Sequence, residues 1–443
     1  MFTLRCLSRP FEVLRENFRF GCRNFVLCKP NQKAHRNVLE TKQFDKPLAT
    51  QSLRSLHSQQ FNKTPILNAE VSASVKTDFI VLSWNNNTQS KFHHIWLRDH
   101  CQCLECYNHD THQKEVDILQ LPLDIKPSSV ELVEGKEIKI IWPNKHTTVY
   151  SIEWLQQHSY SGCKKENQDD EAILWNSSIA SNLPEPITFE EAIQNEEQLF
   201  EVCQRLVNYG FAFLEDTPCN LEAIEKLSTK LGGFVKETHY GRLWEFGTNG
   251  LQFADTAYTS QAILCHTDAT YFTDPAGLQL LHCIEHDGLG GMSLLVDGFN
   301  AAEILRKNDP ESFHFLSTSK MPFHYFDKGK EHFMAYGPMI ELHPFWGRVA
   351  RIRYNPHDLA PLNSLSTDDI PRFYKAFKTF SSILRAPDNE FKFKLSPGKL
   401  LIAANWKVLH GRTEFTGMRT MQGCYVNRDD FLSKFRTMRG NRL

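Results

Sequence analysis

The sequence predicts a mainly β protein in which a double-sheet jelly roll with helical insertions follows a smaller β-rich unit. The chain of 443 residues exceeds the usual size of a single hydrophobic core, so more than one folded unit is expected. Short apolar segments without helical spacing recur over more than 200 residues, and amphipathic helices are few. Hydrophobic residues make up 41% and charged residues 23%, which is a composition that can bury a core.

The N-terminal segment differs in charge from the rest of the chain. Residues 1–60 carry a net charge of +7, so the remainder sums to −9 within a total of −2. Apolar residues recur every three or four positions among arginines, at Leu4, Leu7, Phe11, Leu14 and Phe18. This pattern is typical of a mitochondrial transit peptide, with a disordered basic tail as the alternative. We expect residues 1–65 to form a transit peptide and disordered linker, and the mature chain to lie in the mitochondrial matrix.

A small β-rich unit is predicted over residues 70–165. Apolar runs separated by turn residues predict its strands, at residues 79–82, 95–97 and 138–142. Three cysteines lie close together within it, at Cys101, Cys103 and Cys106. Three thiolates and one imidazole would fill a tetrahedral zinc site, and spacing alone leaves His100, His109 and His112 as candidates for the imidazole. Free cysteines on a hairpin, or a redox or partner-binding finger, are the alternatives.

The jelly-roll unit is predicted over residues 187–435 and opens with two helices. In the first, an apolar stripe from Ile193 to Val207 ends at Gly210. In the second, Asn220 is the expected N-cap and two glycines end the helix. Helical insertions are expected near residues 299–316 and 366–385. The predicted strands lie at residues 211–214, 278–284, 294–296, 349–354, 399–403 and 423–426.

Several classes of function are excluded by what the sequence lacks. A net charge of −2 gives no overall basic field for nucleic acid, and no apolar run approaches the length of a membrane span. The sequence contains no dinucleotide fingerprint, phosphate-binding loop, nucleophile elbow or zincin motif. We therefore expect neither nucleic acid nor a membrane as a partner.

A histidine and a carboxylate two residues apart suggest a metal site. His266 and Asp268 would share one face of a strand, although such a pair is expected about once by chance in a chain with 19 histidines. His410, directly after the strand at 399–403, would complete the two-histidine, one-carboxylate triad that holds ferrous iron. A structural histidine, in a metal-free jelly-roll binding module, is the alternative.

Two polar residues near this triad suit a 2-oxo acid that must dock beside the iron. The far carboxylate of such a co-substrate needs a fixed guanidinium and a hydroxyl donor. Arg419 follows His410 by nine residues, and Ser293 follows a glycine-rich turn. We expect both to bind 2-oxoglutarate, with Arg412 as the competing arginine.

The chain resembles the γ-butyrobetaine and trimethyllysine dioxygenases, which are Fe(II)/2-oxoglutarate hydroxylases of carnitine synthesis. The resemblance spans roughly residues 75–435 and rests on four segments, at 265–268, 290–298, 405–412 and 419–425. It implies a double-stranded β-helix domain, a homodimer, and ascorbate as reductant. It assigns iron to His266, Asp268 and His410, and 2-oxoglutarate to Arg419 and Ser293. It also implies an N-terminal zinc domain in which His146 is the fourth ligand of the three cysteines.

The resemblance also implies how the substrate is held. An aromatic cage for a trimethylammonium group corresponds to Tyr240, Trp244, Tyr258 and Tyr425. Trimethyllysine carries an α-ammonium that γ-butyrobetaine lacks, and Asp255 stands where a carboxylate would bind it, with Asn355 as a second polar contact. We therefore expect hydroxylation of N6,N6,N6-trimethyl-L-lysine at C3, which yields succinate and CO2 and is the first step of carnitine biosynthesis. Hydroxylation of γ-butyrobetaine is the alternative.

Overall fold

A computed structural model describes residues 71–84, 88–161, 172–247 and 256–440. The predicted transit peptide and linker at residues 1–65, and Asp255 of the predicted substrate site, lie outside the described residues. Within these ranges no helix is long and apolar enough to cross a membrane.

The N-terminal part is built from short antiparallel sheets. Its elements are β1 (Ser72–Val75), β2 (Phe79–Ser83), β3 (Gln89–His93), α1 (His94–Asp99), β4 (Tyr107–Asn108), β5 (Gln113–Lys114), β6 (Ser129–Val133), β7 (Glu137–Ile141), β8 (Thr147–Ser151) and α2 (Ile152–Gln157). The sheets β1-β2-β3 and β6-β7-β8 share one core, in which Phe92, Trp142 and Tyr150 are fully buried. The predicted strand at residues 95–97 is wrong: these residues belong to α1, because Leu97 and Arg98 are buried with His94 at helical spacing.

The C-terminal part of the chain is larger and contains more strands and helices. Its elements are β9 (Ile187–Thr188), α3 (Phe189–Gln194), α4 (Glu196–Asn208), β10 (Phe211–Glu215), α5 (Leu221–Gly232), β11 (Trp244–Gly247), β12 (Ile263–His266), β13 (Leu278–His286), β14 (Ser293–Asp297), α6 (Gly298–Asn308), α7 (Pro310–Thr318), β15 (Met321–Asp327), β16 (Glu331–Gly337), β17 (Ile340–Leu342), β18 (Val349–Ile352), α8 (Asp369–Leu384), β19 (Phe391–Phe393), β20 (Leu400–Ala404), β21 (Val408–Arg412), β22 (Arg419–Val426) and α9 (Arg428–Gly440).

Two sheets form the jelly roll. The major sheet has six strands in the order β11-β22-β13-β20-β10-β9, and the minor sheet has four in the order β12-β21-β14-β19. Apart from β9 and β10, the strands that pair with each other are not consecutive in sequence, and every pairing is antiparallel except that of β9 with β10. This topology confirms the predicted fold class, a mainly β jelly roll with helical insertions.

Helices pack against the outside of these sheets. The stripe that predicted one helix forms two, because Asn195 ends α3 and its side chain then accepts a hydrogen bond from the Glu197 backbone N–H at the start of α4. Asn220 caps α5 as predicted, since its Oδ1 accepts from the Ala223 backbone N–H at 2.9 Å. The helices α6, α7 and α8 confirm the two predicted insertions.

Candidate metal centre and active-site cavity

One cavity of about 550 Å³ lies between the two sheets and is lined by side chains of both. All ten described residues that the sequence assigned to iron, 2-oxoglutarate and substrate line this cavity. They are Tyr240, Trp244, Tyr258, His266, Asp268, Ser293, Asn355, His410, Arg419 and Tyr425. The fold therefore brings together segments that are separated by up to 185 residues in the chain.

The three predicted iron ligands come from the minor sheet and the turn beside it. His266 ends β12 and His410 lies in the middle of β21, where the two histidines face each other as register partners. Asp268 was expected on the same strand as His266, but β12 ends at His266 and Asp268 lies in the turn that follows. The positive φ of Ala269, 55°, belongs to this turn. The expected convergence is found, but strand alternation does not cause it.

One oxygen of Asp268 faces both imidazoles. Its Oδ1 lies 3.3 Å from His266 Nε2 and 3.5 Å from His410 Nε2. The other ring nitrogen of His266, Nδ1, lies 2.8 Å from the Leu264 carbonyl oxygen, which fixes the tautomer with a lone pair on Nε2. The Nδ1 of His410 is buried and has no hydrogen-bond partner among the residues that the structure describes.

The charges of the triad are set by burial and by mutual contact. Burial opposes ionisation of Asp268, but the two imidazoles outweigh it and hold the pKa of the carboxyl far below its usual range. Burial lowers the pKa of His410. In His266 the hydrogen bond with Asp268 outweighs burial and raises the pKa to about 8. The site thus contains a persistent carboxylate between two imidazoles.

This donor set fits a transition-metal ion. Two imidazole nitrogens and one carboxylate oxygen lie within 4.8 Å of one another. Ligands about 2.1 Å from a metal and at right angles to each other are separated by roughly 3 Å, which is close to the separations of Asp268 from the histidines. The arrangement is that of a facial triad, which leaves three positions open.

Three residues that were not predicted to contact Asp268 hold it in place. Asn405, which is 2% exposed, accepts from the Asp268 backbone N–H at 2.7 Å and donates to its carbonyl at 3.0 Å. Gln279 Nε2 and the Tyr425 hydroxyl both donate to Asp268 Oδ2. Gln279 could have been noticed as a polar residue in an apolar strand, whereas Asn405 lies 137 residues from its partner.

The two candidate arginines have different environments. The guanidinium of Arg412 donates to the backbone carbonyls of Ala257, Thr259 and Gln261. Arg419 at the start of β22 is 6% exposed, and its guanidinium makes no hydrogen bond or ion pair with the described residues. Burial lowers the pKa of Arg419, which is the direction expected for a cation without a counterion. Arg419 therefore suits an anionic ligand better than Arg412 does.

Aromatic rings line another part of the active-site cavity. The ring centroids of Trp244 and Tyr425 are 5.6 Å apart, and those of Trp244 and Phe246 are 5.5 Å apart. Tyr240 adds a hydroxyl 3.4 Å from that of Tyr271. The indole of Trp244 covers Gly423, where a Cβ atom would lie only 2.1 Å from the ring, so this position of β22 has no room for a side chain.

Polar side chains at another part of the cavity come from the segment after β18. Asn355 Oδ1 accepts from the His357 backbone N–H at 3.0 Å. Asp358, which the sequence did not single out, lines the same cavity and accepts from the Thr270 hydroxyl at 2.7 Å. In the described part of the cavity the carboxylates are Asp268 and Asp358.

A second cluster of potential metal ligands lies in the N-terminal part. His146 Nε2 is 3.4 Å from Cys101 Sγ, 3.7 Å from Cys103 Sγ and 3.5 Å from Cys106 Sγ. Burial lowers the pKa of His146, and burial raises the pKa of Cys106 to about 11. The geometry selects His146 over the three histidines that spacing left open, and the S₃N donor set fits a tetrahedral zinc site.

Comparison with known proteins extends these observations. The family model described as "Taurine catabolism dioxygenase TauD, TfdA family" matches residues 179–425, and "Gamma-butyrobetaine hydroxylase-like, N-terminal" matches residues 71–156. The chain is 40% identical to a mitochondrial trimethyllysine dioxygenase of Bos taurus, over 82% of this chain and 86% of the relative. It is 36% identical to a trimethyllysine dioxygenase of Meyerozyma guilliermondii, over 82% and 94%. Identity to a human gamma-butyrobetaine dioxygenase is 28%, over 80% and 93%.

Proposed function

Because the chain belongs to the TauD, TfdA dioxygenase family and, within it, to the trimethyllysine dioxygenases, we propose that it hydroxylates N6,N6,N6-trimethyl-L-lysine at C3. One atom of O2 enters the new hydroxyl group and the other enters succinate, as 2-oxoglutarate loses CO2. The observation that carries this proposal is that the metal triad, a buried arginine with no ion pair among the described residues, and a set of aromatic rings all line one cavity.

The metal is Fe(II), held by His266, Asp268 and His410. When bound with 2-oxoglutarate and O2, it supplies the oxidant for an unactivated C–H bond. The Leu264 carbonyl keeps the Nε2 lone pair of His266 directed at the metal position. The protein contributes by fixing the positions of both organic reactants beside the metal position.

The co-substrate is positioned by the side chains of Arg419 and Ser293. The guanidinium of Arg419 pairs with the far carboxylate of 2-oxoglutarate, which supplies a negative charge that no described residue places on this guanidinium. Ser293 begins β14 beside Arg412 and presents its hydroxyl to the same cavity. Together they hold the co-substrate in one orientation relative to the triad.

The substrate is held at both ends. The rings of Tyr240, Trp244, Tyr258 and Tyr425 attract the trimethylammonium group, which has no N–H to donate and so is recognised by aromatic faces. Asp255 and Asn355 bind the ammonium and carboxylate of the amino acid end. With both ends fixed, C3 is the carbon presented to the oxidant.

Further properties are proposed from the family resemblance. Ascorbate keeps the iron reduced, the N-terminal part binds a structural zinc ion through Cys101, Cys103, Cys106 and His146, and two chains form a homodimer. The basic N-terminal segment directs the chain to the mitochondrial matrix, in keeping with the mitochondrial name of the Bos taurus relative.

The proposed substrate is tested by succinate formation. The purified chain, supplied with Fe(II), ascorbate and 2-oxoglutarate, should release succinate when trimethyllysine is added and much less when γ-butyrobetaine is added. An enzyme that responds to γ-butyrobetaine but not to trimethyllysine would contradict the proposal. Asp255→Asn should lower trimethyllysine-dependent turnover more than it lowers substrate-independent decarboxylation, and an equal loss of both would mean that Asp255 is structural.

Substitution of Cys103 by serine tests the zinc site. Loss of one thiolate should reduce bound zinc well below one ion per chain and lower the unfolding temperature by at least about 5 °C, since a structural zinc ion contributes directly to folding. Zinc is measured by elemental analysis and unfolding by calorimetry. Cys219→Ser, at an exposed cysteine outside the cluster, is the control and should retain zinc. Full zinc occupancy in the Cys103→Ser protein would contradict a structural site at these residues.

A further inference from the structure

The second carboxylate oxygen of Asp268, Oδ2, is held by hydrogen bonds from two side chains. While Oδ1 faces the two imidazoles, Oδ2 accepts a hydrogen bond from the Tyr425 hydroxyl at 3.0 Å and another from Gln279 Nε2. Hydrogen bonds to a carboxylate are charge-assisted and are stronger in a buried site. Gln279 is 5% exposed and Tyr425 is 7% exposed, so water does not compete with them freely.

The two donors are held rigidly by the major sheet. Gln279 on β13 and Tyr425 on β22 are register partners, and both strands are internal to that sheet. The histidines of the triad belong to the minor sheet, so Asp268 is held from the opposite side of the cavity. Asn405 fixes its backbone as well, at both the N–H and the carbonyl. Neither rotation of the carboxylate nor movement of its turn is easy under these restraints.

We propose that Tyr425 and Gln279 are positioning residues that keep Asp268 a one-oxygen ligand of the metal. With Oδ2 engaged by two donors, only Oδ1 is available to the ion, and the three positions that a facial triad leaves open stay open. A carboxylate released from these donors binds through both oxygens and occupies one of those positions. Tyr425 therefore acts on the metal through its hydroxyl, in addition to the role proposed for its ring.

This inference rests on the metal triad of the proposed function but not on the identity of the substrate. The test uses Mn(II) with the full chain and without substrate, and it measures Mn(II) affinity and the relaxation enhancement of water protons per bound ion. That enhancement reports the number of water molecules on the metal. Tyr425→Phe should lower it by about a third, from three open positions to two. Gln279→Met should lower it in the same direction.

Tyr240→Phe is the matched control, because it removes a hydroxyl from another tyrosine of the cavity that lies 3.4 Å from the Tyr271 hydroxyl. Its relaxation enhancement should equal that of the unmodified chain. In turnover, Tyr425→Phe should lower kcat for trimethyllysine with little change in KM, since the ring remains.

Two different failures are distinguishable. If Tyr425→Phe and Gln279→Met both give the enhancement and affinity of the unmodified chain, the restraint on Asp268 does not control its coordination and the inference is wrong. If the unmodified chain binds Mn(II) no better than the His266→Ala protein, the triad itself is not a metal site, and the proposed function fails instead.

Discussion

Substitution of His266 by alanine is expected to abolish trimethyllysine-dependent succinate formation and to remove tight binding of Fe(II). The loss in turnover should exceed about 100-fold, because removing even an outer partner of a metal ligand costs 10–100-fold. Only one histidine and Asp268 would remain, and the carboxylate would lose one of the two imidazoles that keep it ionised. The measurements are succinate release and equilibrium binding of Fe(II) under anaerobic conditions.

A matched histidine variant separates loss of the metal from general damage. His314 is exposed on α7, outside the cavity lining, and His314→Ala should keep both turnover and Fe(II) binding. The zinc content of His266→Ala should also be unchanged, since the cysteine cluster shares no residue with the triad. If His266→Ala turns over trimethyllysine at the normal rate, the triad is not the metal centre and the alternative of a metal-free binding module regains support.

Local patterns predicted most of the fold because burial in this chain follows local periodicity. Every residue of β20 is buried, as expected for an apolar run in the middle of a sheet, and Asn220 caps a helix by a contact only three residues away. The strand predicted at residues 95–97 is wrong because three adjacent apolar residues are compatible with a buried strand and with a short helix alike. Whether the polar residues His94 and Arg98 are buried decides between them, and that depends on distant elements.

The candidate site was predictable as a set of residues but not as a set of contacts. The spacing of His266 and Asp268 suggested a shared face, yet Asp268 reaches the centre through a turn that Asn405 ties to the segment before His410. Asn405 and Gln279 act on Asp268 through contacts that form only in the folded chain. Likewise, the sequence favoured Arg419 and left Arg412 as its competitor, and their different partners in the structure support that choice.

Substitution of Arg419 by glutamine is expected to raise the KM for 2-oxoglutarate at least about 30-fold. Truncating one partner of a buried charge pair costs about 2 kcal/mol or more, which corresponds to that factor. The guanidinium is buried and forms no ion pair with the residues that the structure describes, so the far carboxylate of the co-substrate gains a large part of its binding energy from this contact. Initial rates of succinate formation at varied 2-oxoglutarate, with trimethyllysine saturating, measure the change.

Arg412→Gln is the comparison variant for Arg419→Gln. The two arginines line the same cavity and differ mainly in their hydrogen-bond partners. The guanidinium of Arg412 ties the carbonyls of Ala257, Thr259 and Gln261 to β21, so its loss should lower the unfolding temperature more than it raises the KM for 2-oxoglutarate. Arg419→Lys should recover part of the affinity, since it restores charge without the two-pronged geometry. If instead Arg412→Gln raises the KM for 2-oxoglutarate and Arg419→Gln does not, the co-substrate carboxylate is bound by Arg412, and the role proposed for Arg419 is wrong.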